Sequence, residues 1–254
     1  MARNTELEDV SICGVRITNS TRSDVIQYIS DNIEKKQIIG GGVNSDTFVQ
    51  AVNDIEYRQF LSNITFANID GMSVVWALRL LGYTTKERVS CPDIYYDTLA
   101  LACTKKMSIY FLGASENIIQ TLVMNYAVSY PDLQIAGYRN GYFSKEDEHI
   151  IIRSINDSNA NILFLGLPSP KKESFIINNA SKIKSKFIYG VGGMFDIEAG
   201  LTKRAPLWMQ KGGLEWAFRL FQEPKRLWRR YLVNNTLFIK IILTEIANKK
   251  LLRK

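Results

Sequence analysis

Residues 64–94 read ITFANIDGMSVVWALRLLGYTTKERVSCPDI. Ile64, Phe66 and Asn68 alternate as strand side chains do, and the chain then turns at Asp70-Gly71. Val74, Val75, Leu78 and Leu81 recur at helical spacing, so a helix follows, closed by Gly82, with Glu87-Arg88 in a polar loop beyond it. Open α/β sheets present their chemistry at the C-terminal ends of strands, where this one delivers an acid. Asp70 then has two readings. Before a helix it suits the N-cap, where a carboxylate accepts first-turn N–H groups; at a strand end it stands where such sheets carry their chemistry.

Working outward, the same strand-then-helix unit recurs. MSIYFLG (107–113), NILFLG (161–166) and FIYGVGG (187–193) are nearly continuous apolar runs, the pattern of parallel strands covered on both faces. Each closes on glycine. Helices are expected over 93–105, from Ser115 through Tyr130, and from Ser144, the last carrying His149 on a charged, solvated face. Residues 133–137 form a further strand that turns at Asn140-Gly141-Tyr142-Phe143. Upstream, Val10, Ile12, Val15 and Ile17 alternate about Gly14 as a strand or hairpin, and 21–34 is helical. QIIGGGV then brings a short β run to three glycines and a helix start after Asn44, a place where backbone can approach a ligand. It contains neither Gly-Lys-Ser/Thr nor GxGxxG. The expected fold is α/β, a Rossmann-like, mainly parallel sheet flanked by helices over residues 1–200. A helical C-terminal appendage over 201–254 completes it.

The appendage differs in composition. Residues 202–254 hold 13 Lys or Arg against 3 Asp or Glu, a net +10, while the preceding 201 hold 19 against 22. Trp208, Trp216 and Trp228 fall here, and a final helix from Pro224 carries Leu227, Tyr231, Phe238, Ile242 and Ile246 among Lys240, Lys249, Lys250, Arg253 and Lys254. A basic amphipathic helix suits an anionic membrane surface, and Arg219, Arg226, Arg229 and Arg230 suit phosphate oxygens. The alternative for the helix is ordinary packing with a solvated face. MARNTELEDV lacks a signal-peptide run and no apolar stretch reaches 18 residues, so a cytosolic protein is expected. Cys13, Cys91 and Cys103 with one histidine suggest neither disulfides nor a zinc site.

Taken in order, several short motifs combine. They are Asn44, Asp70-Gly71, Glu87-Arg88-Val89, Phe111-Leu112-Gly113, Gly141-Tyr142-Phe143, Pro170-Lys171-x-Glu173 and Gly190-Val191-Gly192-Gly193-x-Phe195-Asp196. Arg204-Ala205-Pro206, Gly213-Leu214-Glu215-Trp216 and Glu223-Pro224-x-Arg226 follow. The set resembles the WecG/TagA/CpsF glycosyltransferases from about residue 10 to about residue 231. The resemblance implies an inverting transfer of a hexose-type sugar (N-acetylmannosamine, its uronic acid, or glucose) from a UDP-sugar. The implied acceptor is a polyprenyl-diphosphate-linked saccharide, in surface polysaccharide or teichoic acid synthesis. Carried over by position, Asp70 looks like the general base and Asn44 and Arg88 like sugar- or diphosphate-site residues. Tyr142 and Asp196 look like nucleotide contacts, Gly113 lies in a matched strand-end motif, and Arg219, Arg226 and Arg229 fall on appendage arginines that meet the lipid diphosphate.

This chain departs from the family pattern at Gly42, where threonine is usual, at Lys172, where glutamine is usual, and at Cys91, where glycine is usual. The resemblance implies that positions 42 and 172 lie near the donor sugar, so Lys172 becomes a candidate donor or diphosphate contact. Many sugar-nucleotide enzymes hold a metal with Asp-x-Asp; the nearest approach is Asp196-x-Glu198, so a metal-independent reaction without cofactor is expected, with arginines, lysines and helix N-termini carrying the leaving charge. Nucleic acid is not an expected partner, and self-association stays open. Two other classes share these features: a nucleotide-binding oxidoreductase, which the missing GxGxxG disfavours, and a non-catalytic basic membrane-binding module.

Overall fold

The computed structural model describes residues 6–251. The start of MARNTELEDV, Arg253 and Lys254, and the side chains of Arg230 and Lys250 lie outside the described residues. The strands are β1 (Asp9–Ile12), β2 (Val15–Thr18), β3 (Ile38–Val43), β4 (Phe66–Ile69), β5 (Ser108–Gly113), β6 (Gln134–Arg139), β7 (Ile162–Gly166) and β8 (Phe187–Gly190). The helices are α1 (Arg22–Asn32), α2 (Ser45–Asn53), α3 (Ile55–Asn63), α4 (Met72–Leu80), α5 (Cys91–Lys105) and α6 (Glu116–Ser129). They continue as α7 (Glu148–Asp157), α8 (Lys171–Asn179), α9 (Met194–Glu198), α10 (Leu207–Lys211), α11 (Glu215–Gln222) and α12 (Pro224–Leu251). The fold is the expected α/β, Rossmann-like arrangement of mostly parallel strands flanked by helices.

The chain forms two compact units that are not consecutive stretches of sequence. The first contains Ser23–Gly41 and Cys91–Thr202. Its strands run β3-β8-β7-β5-β6, every pair parallel. β7 and β8 are buried along nearly their whole length, which is why their sequences are apolar without alternation. Phe111, Phe164, Phe187 and Phe195 are fully buried here, each contributing about 1.5–3 kcal/mol by removal from water.

The second unit contains Leu7–Arg22, Gly42–Ser90 and the chain from Lys203 onward. β1 pairs antiparallel with β2 through the Cys13-Gly14 turn, and β2 pairs parallel with β4. α12 lies along α2. Phe238 meets Phe48 edge-on at 5.3 Å, Asn235 accepts from the Ser45 hydroxyl at 2.7 Å, and Asn234 donates to Asp46. Leu227, Phe238 and Ile242 are buried. The apolar face expected at an interface is therefore in large part the packing face of α12. A second stripe, Trp228, Leu232, Ile239 and Leu243, is exposed instead.

Three local expectations change. The three glycines lie inside β3, where Gly40 pairs with Tyr189, rather than in a loop after it. α7 begins at Glu148 because Ser144 donates through its N–H (3.1 Å) and hydroxyl (2.9 Å) to Asp147, closing a turn first. α3 has no counterpart in the sequence reading: its buried positions, Tyr57, Phe60 and Leu61, are too few to reveal a period. Asp54 starts it by accepting from the N–H groups of Glu56 and Tyr57 at 2.9 and 3.2 Å.

Candidate active site

In the second unit the chemistry-bearing residues gather around the end of β4. Asp70 follows Ile69, half-buried, and its N–H donates to Val43 O at 3.0 Å, fixing the carboxylate's backbone to the end of β3. The N-cap of α4 is Gly71, one residue later, and it has no side-chain cap bond. Asn44 stands beside this turn: a Cβ on Gly71 would lie 3.2 Å from Asn44 Cβ. Asn44 itself caps α2. Its Oδ1 accepts from Asp46 N (3.0 Å) and Thr47 N (3.2 Å), and Thr47 Oγ1 accepts from Asn44 N at 2.8 Å. The carbonyl end of this side chain is thus structural, and its amide nitrogen is the end that suits a ligand oxygen.

Arg88 is brought to the same strand end by its neighbours. Val89 N donates to Ile69 O at 2.9 Å, and buried Asn68 donates from Nδ2 to Val89 O at 2.6 Å. The Arg88 guanidinium pairs with Glu215 at 2.5 Å, both side chains less than a fifth exposed. Glu215 also meets Arg204 Nε at 3.4 Å, and Arg204 Nη2 reaches Ser90 Oγ at 3.4 Å. Arg204 and Glu215 were not among the expected site residues; a charged residue at the head of RAP and inside GLEW was the available signal.

The proposed phosphate arginines of the appendage are distributed along it. Arg219 is half-buried on α11, and Arg226 and Arg229 are exposed on the first turns of α12. Arg226 pairs with Glu223 one turn back. Arg230, read as their companion, has its side chain outside the described residues.

The first unit assembles its own crest from strand ends. Ala114 N donates to Gly166 O at 3.2 Å, Gly141 N to Ala114 O at 2.8 Å and Val191 N to Leu165 O at 3.0 Å. Gly113 has φ +149°, and a Cβ there would sit 2.4 Å from Gly166 O, so no other residue fits between these strands. Lys172 packs its stem on Gly190, where an added Cβ would lie 2.5 Å from Lys172 Cδ, and its Nζ pairs with buried Glu173 at 3.0 Å. The neighbouring Lys171 has a structural task. Its Nζ donates to Gly141 O (2.9 Å) and Phe143 O (2.8 Å) and lies 3.7 Å from the Phe143 ring centre, holding the 141–143 loop; burial pushes its pKa down. That loop presents Tyr142 with its ring exposed. Asp196 is half-buried on α9.

Within Asp196-x-Glu198, Glu198 accepts the Tyr96 hydroxyl at 2.5 Å. Among the described residues no three His, Cys, Asp or Glu side chains are grouped as metal ligands. His149 is exposed, its Nδ1 2.6 Å from Glu146 O, in keeping with the solvated-face reading. Three free cysteines are present, and no described helix is long and apolar enough to cross a membrane.

The family described as "Glycosyl transferase WecG/TagA/CpsF family" matches residues 10–251. The chain is similar to the N-acetylglucosaminyldiphosphoundecaprenol N-acetyl-beta-D-mannosaminyltransferase of Bacillus subtilis (strain 168). It is 31% identical to that protein over 246 residues, which is 96% of this chain and 94% of the relative. Proteins of the same name are 31% identical over 189 residues in Bacillus spizizenii (74% of this chain, 72% of the relative) and 26% identical over 223 in Staphylococcus aureus strain MW2 (87% of each).

Proposed function

Because the chain belongs to the WecG/TagA/CpsF family of glycosyl transferases, we propose that it moves a hexose-type sugar from a UDP-sugar to a polyprenyl-diphosphate-linked N-acetylglucosamine. The names of the relatives support the acceptor and favour an N-acetylmannosamine donor. Gly42 and Lys172 keep the uronic acid and glucose as donors to be compared. The observation that carries the reading is the carboxylate of Asp70 at the end of β4, with Asn44 beside it and Arg88 fastened to the same strand.

The chemistry follows from those groups. Asp70 takes the proton of the acceptor hydroxyl as its oxygen attacks the anomeric carbon; the bond to the UDP oxygen breaks, inverting the centre, and UDP leaves with the electron pair. Attack requires the leaving diphosphate to be neutralised, and fixed cations do this at little reorganisation cost. Arg88 is assigned to that charge, with Lys172, Tyr142 and Asp196 as donor contacts at the glycine-lined crest. The reaction is assigned as metal-independent, since positive side chains are at hand.

Arg219, Arg226 and Arg229 are assigned to the acceptor diphosphate. The membrane surface is assigned to the exposed stripe of α12, where Trp228, Leu232, Ile239 and Leu243 run beside Arg229 and Lys240. On this assignment the enzyme works at the inner face of the plasma membrane, building a surface polymer. The test is UDP release from a panel of UDP-sugars with a polyprenyl-diphosphate-N-acetylglucosamine analogue. Acceptor-dependent release with one donor is expected; no release with any donor would refute the assignment.

A further inference from the structure

We propose that Glu215 is a positioning residue that pins Arg88 and Arg204 to one point, making Arg204 a second group for the nucleotide diphosphate. The inference deepens the assignment of Arg88 above and rests on it. Glu215 Oε2 accepts from Arg88 Nη2 at 2.5 Å, while Oε1 meets Arg204 Nε at 3.4 Å, so one carboxylate bridges two guanidiniums. The three side chains are 15%, 19% and 19% exposed, which leaves their charges little screened. Converging arginines repel; the shared carboxylate is what permits their approach.

Two guanidiniums thus share one carboxylate. Each guanidinium carries five N–H donors in a planar fork, and that fork matches phosphate oxygens. The cluster is also tied to the reacting end of the unit. Arg204 reaches Ser90, which is wholly buried two residues after Arg88, and Val89 between them is fastened to β4 just before Asp70. Glu215 opens α11, which carries Arg219 one turn later. The same ion pair therefore sets where that helix starts with respect to Arg88.

Three substitutions separate positioning from mere support. Glu215→Gln keeps the shape and removes the charge, Glu215→Asp keeps the charge on a shorter arm, and Arg204→Lys keeps the charge without the fork. UDP affinity by calorimetry, donor KM and kcat separately, and melting temperature are measured for each. Glu215→Gln should lower UDP affinity roughly ten-fold, the scale of one loosened charge-assisted contact. Donor KM should rise more than kcat falls, Asp should restore part of the loss, and Arg204→Lys should resemble Gln. Glu215→Gln binding UDP as tightly as the unchanged protein, or more tightly, would overturn the proposal. So would variants that melt earlier while their folded fraction keeps the original KM. If the unchanged protein neither binds nor releases UDP, the functional assignment itself falls, and this inference with it.

Discussion

Replacing Asp70 by asparagine tests the chemistry most directly. Asparagine has the same shape and is as good a helix cap as aspartate, so it preserves whatever structural work the side chain does. The backbone contacts that fix the turn, Asp70 N to Val43 O (3.0 Å) and Val89 N to Ile69 O (2.9 Å), involve no side-chain atom of residue 70. What asparagine cannot do is accept a proton. Loss of a general base costs about 100- to 10,000-fold in rate, which is about 2.7–5.5 kcal/mol of barrier at about 1.36 kcal/mol per decade. The assay is acceptor-dependent UDP release, with UDP binding and thermal unfolding run alongside. Turnover should collapse while UDP affinity holds and the melting temperature moves by no more than about 2–4 °C, the shift that 1 kcal/mol produces in a domain of this size. A rate within a few-fold of the unchanged protein would refute the reasoning and leave Asp70 as a helix-start residue.

Four further outcomes are expected. EDTA should leave UDP release unchanged; activity abolished by chelation and restored by magnesium or manganese would contradict the metal-independent assignment. Lys172→Ala should raise donor KM, and unchanged KM and kcat would reduce Lys172 to the partner of Glu173. Gly113→Ala should cost about 1–3 kcal/mol or more in denaturant unfolding, because its Cβ would meet Gly166 backbone at 2.4 Å. On α12, Leu232→Ser with Leu243→Ser should weaken binding to anionic vesicles at little cost in stability, whereas Phe238→Ala should cost about 3–5 kcal/mol; equal effects from both would mean that the exposed stripe meets no membrane.

The parallel strands were the most legible part of the chain, because burial on both faces leaves an unbroken apolar signature, as in NILFLG for β7. The β4–α4 turn was legible for a different reason: Val74, Val75, Leu78 and Leu81 keep helical spacing after Asp70-Gly71, with Gly82 marking the helix end. α3 was not, since three buried residues in nine do not make a period. Nor could periodicity tell which apolar stripe of α12 faces inward: Phe238 and Leu232 both sit on regular spacings, and only contact with Phe48 singles out the first. At the candidate site the individual residues could be named in advance, but their pairings could not. Glu215 and Arg88 are 127 positions apart, and nothing local reports such a contact.

The packing of α12 on α2 has a consequence for how the protein is made. Ser45 and Asn235, which join the two helices, are separated by 190 residues of chain. A ribosome adding about 5–20 residues per second takes roughly 10–40 s to synthesise that interval. Throughout it Phe48 has no Phe238 to cover it. The segment bearing Asn44, Asp70 and Arg88 thus waits, incompletely buried, for the last helix to emerge. Nascent chains stalled before residue 238 should accordingly offer trigger-factor-like chaperones an apolar patch that the finished protein hides.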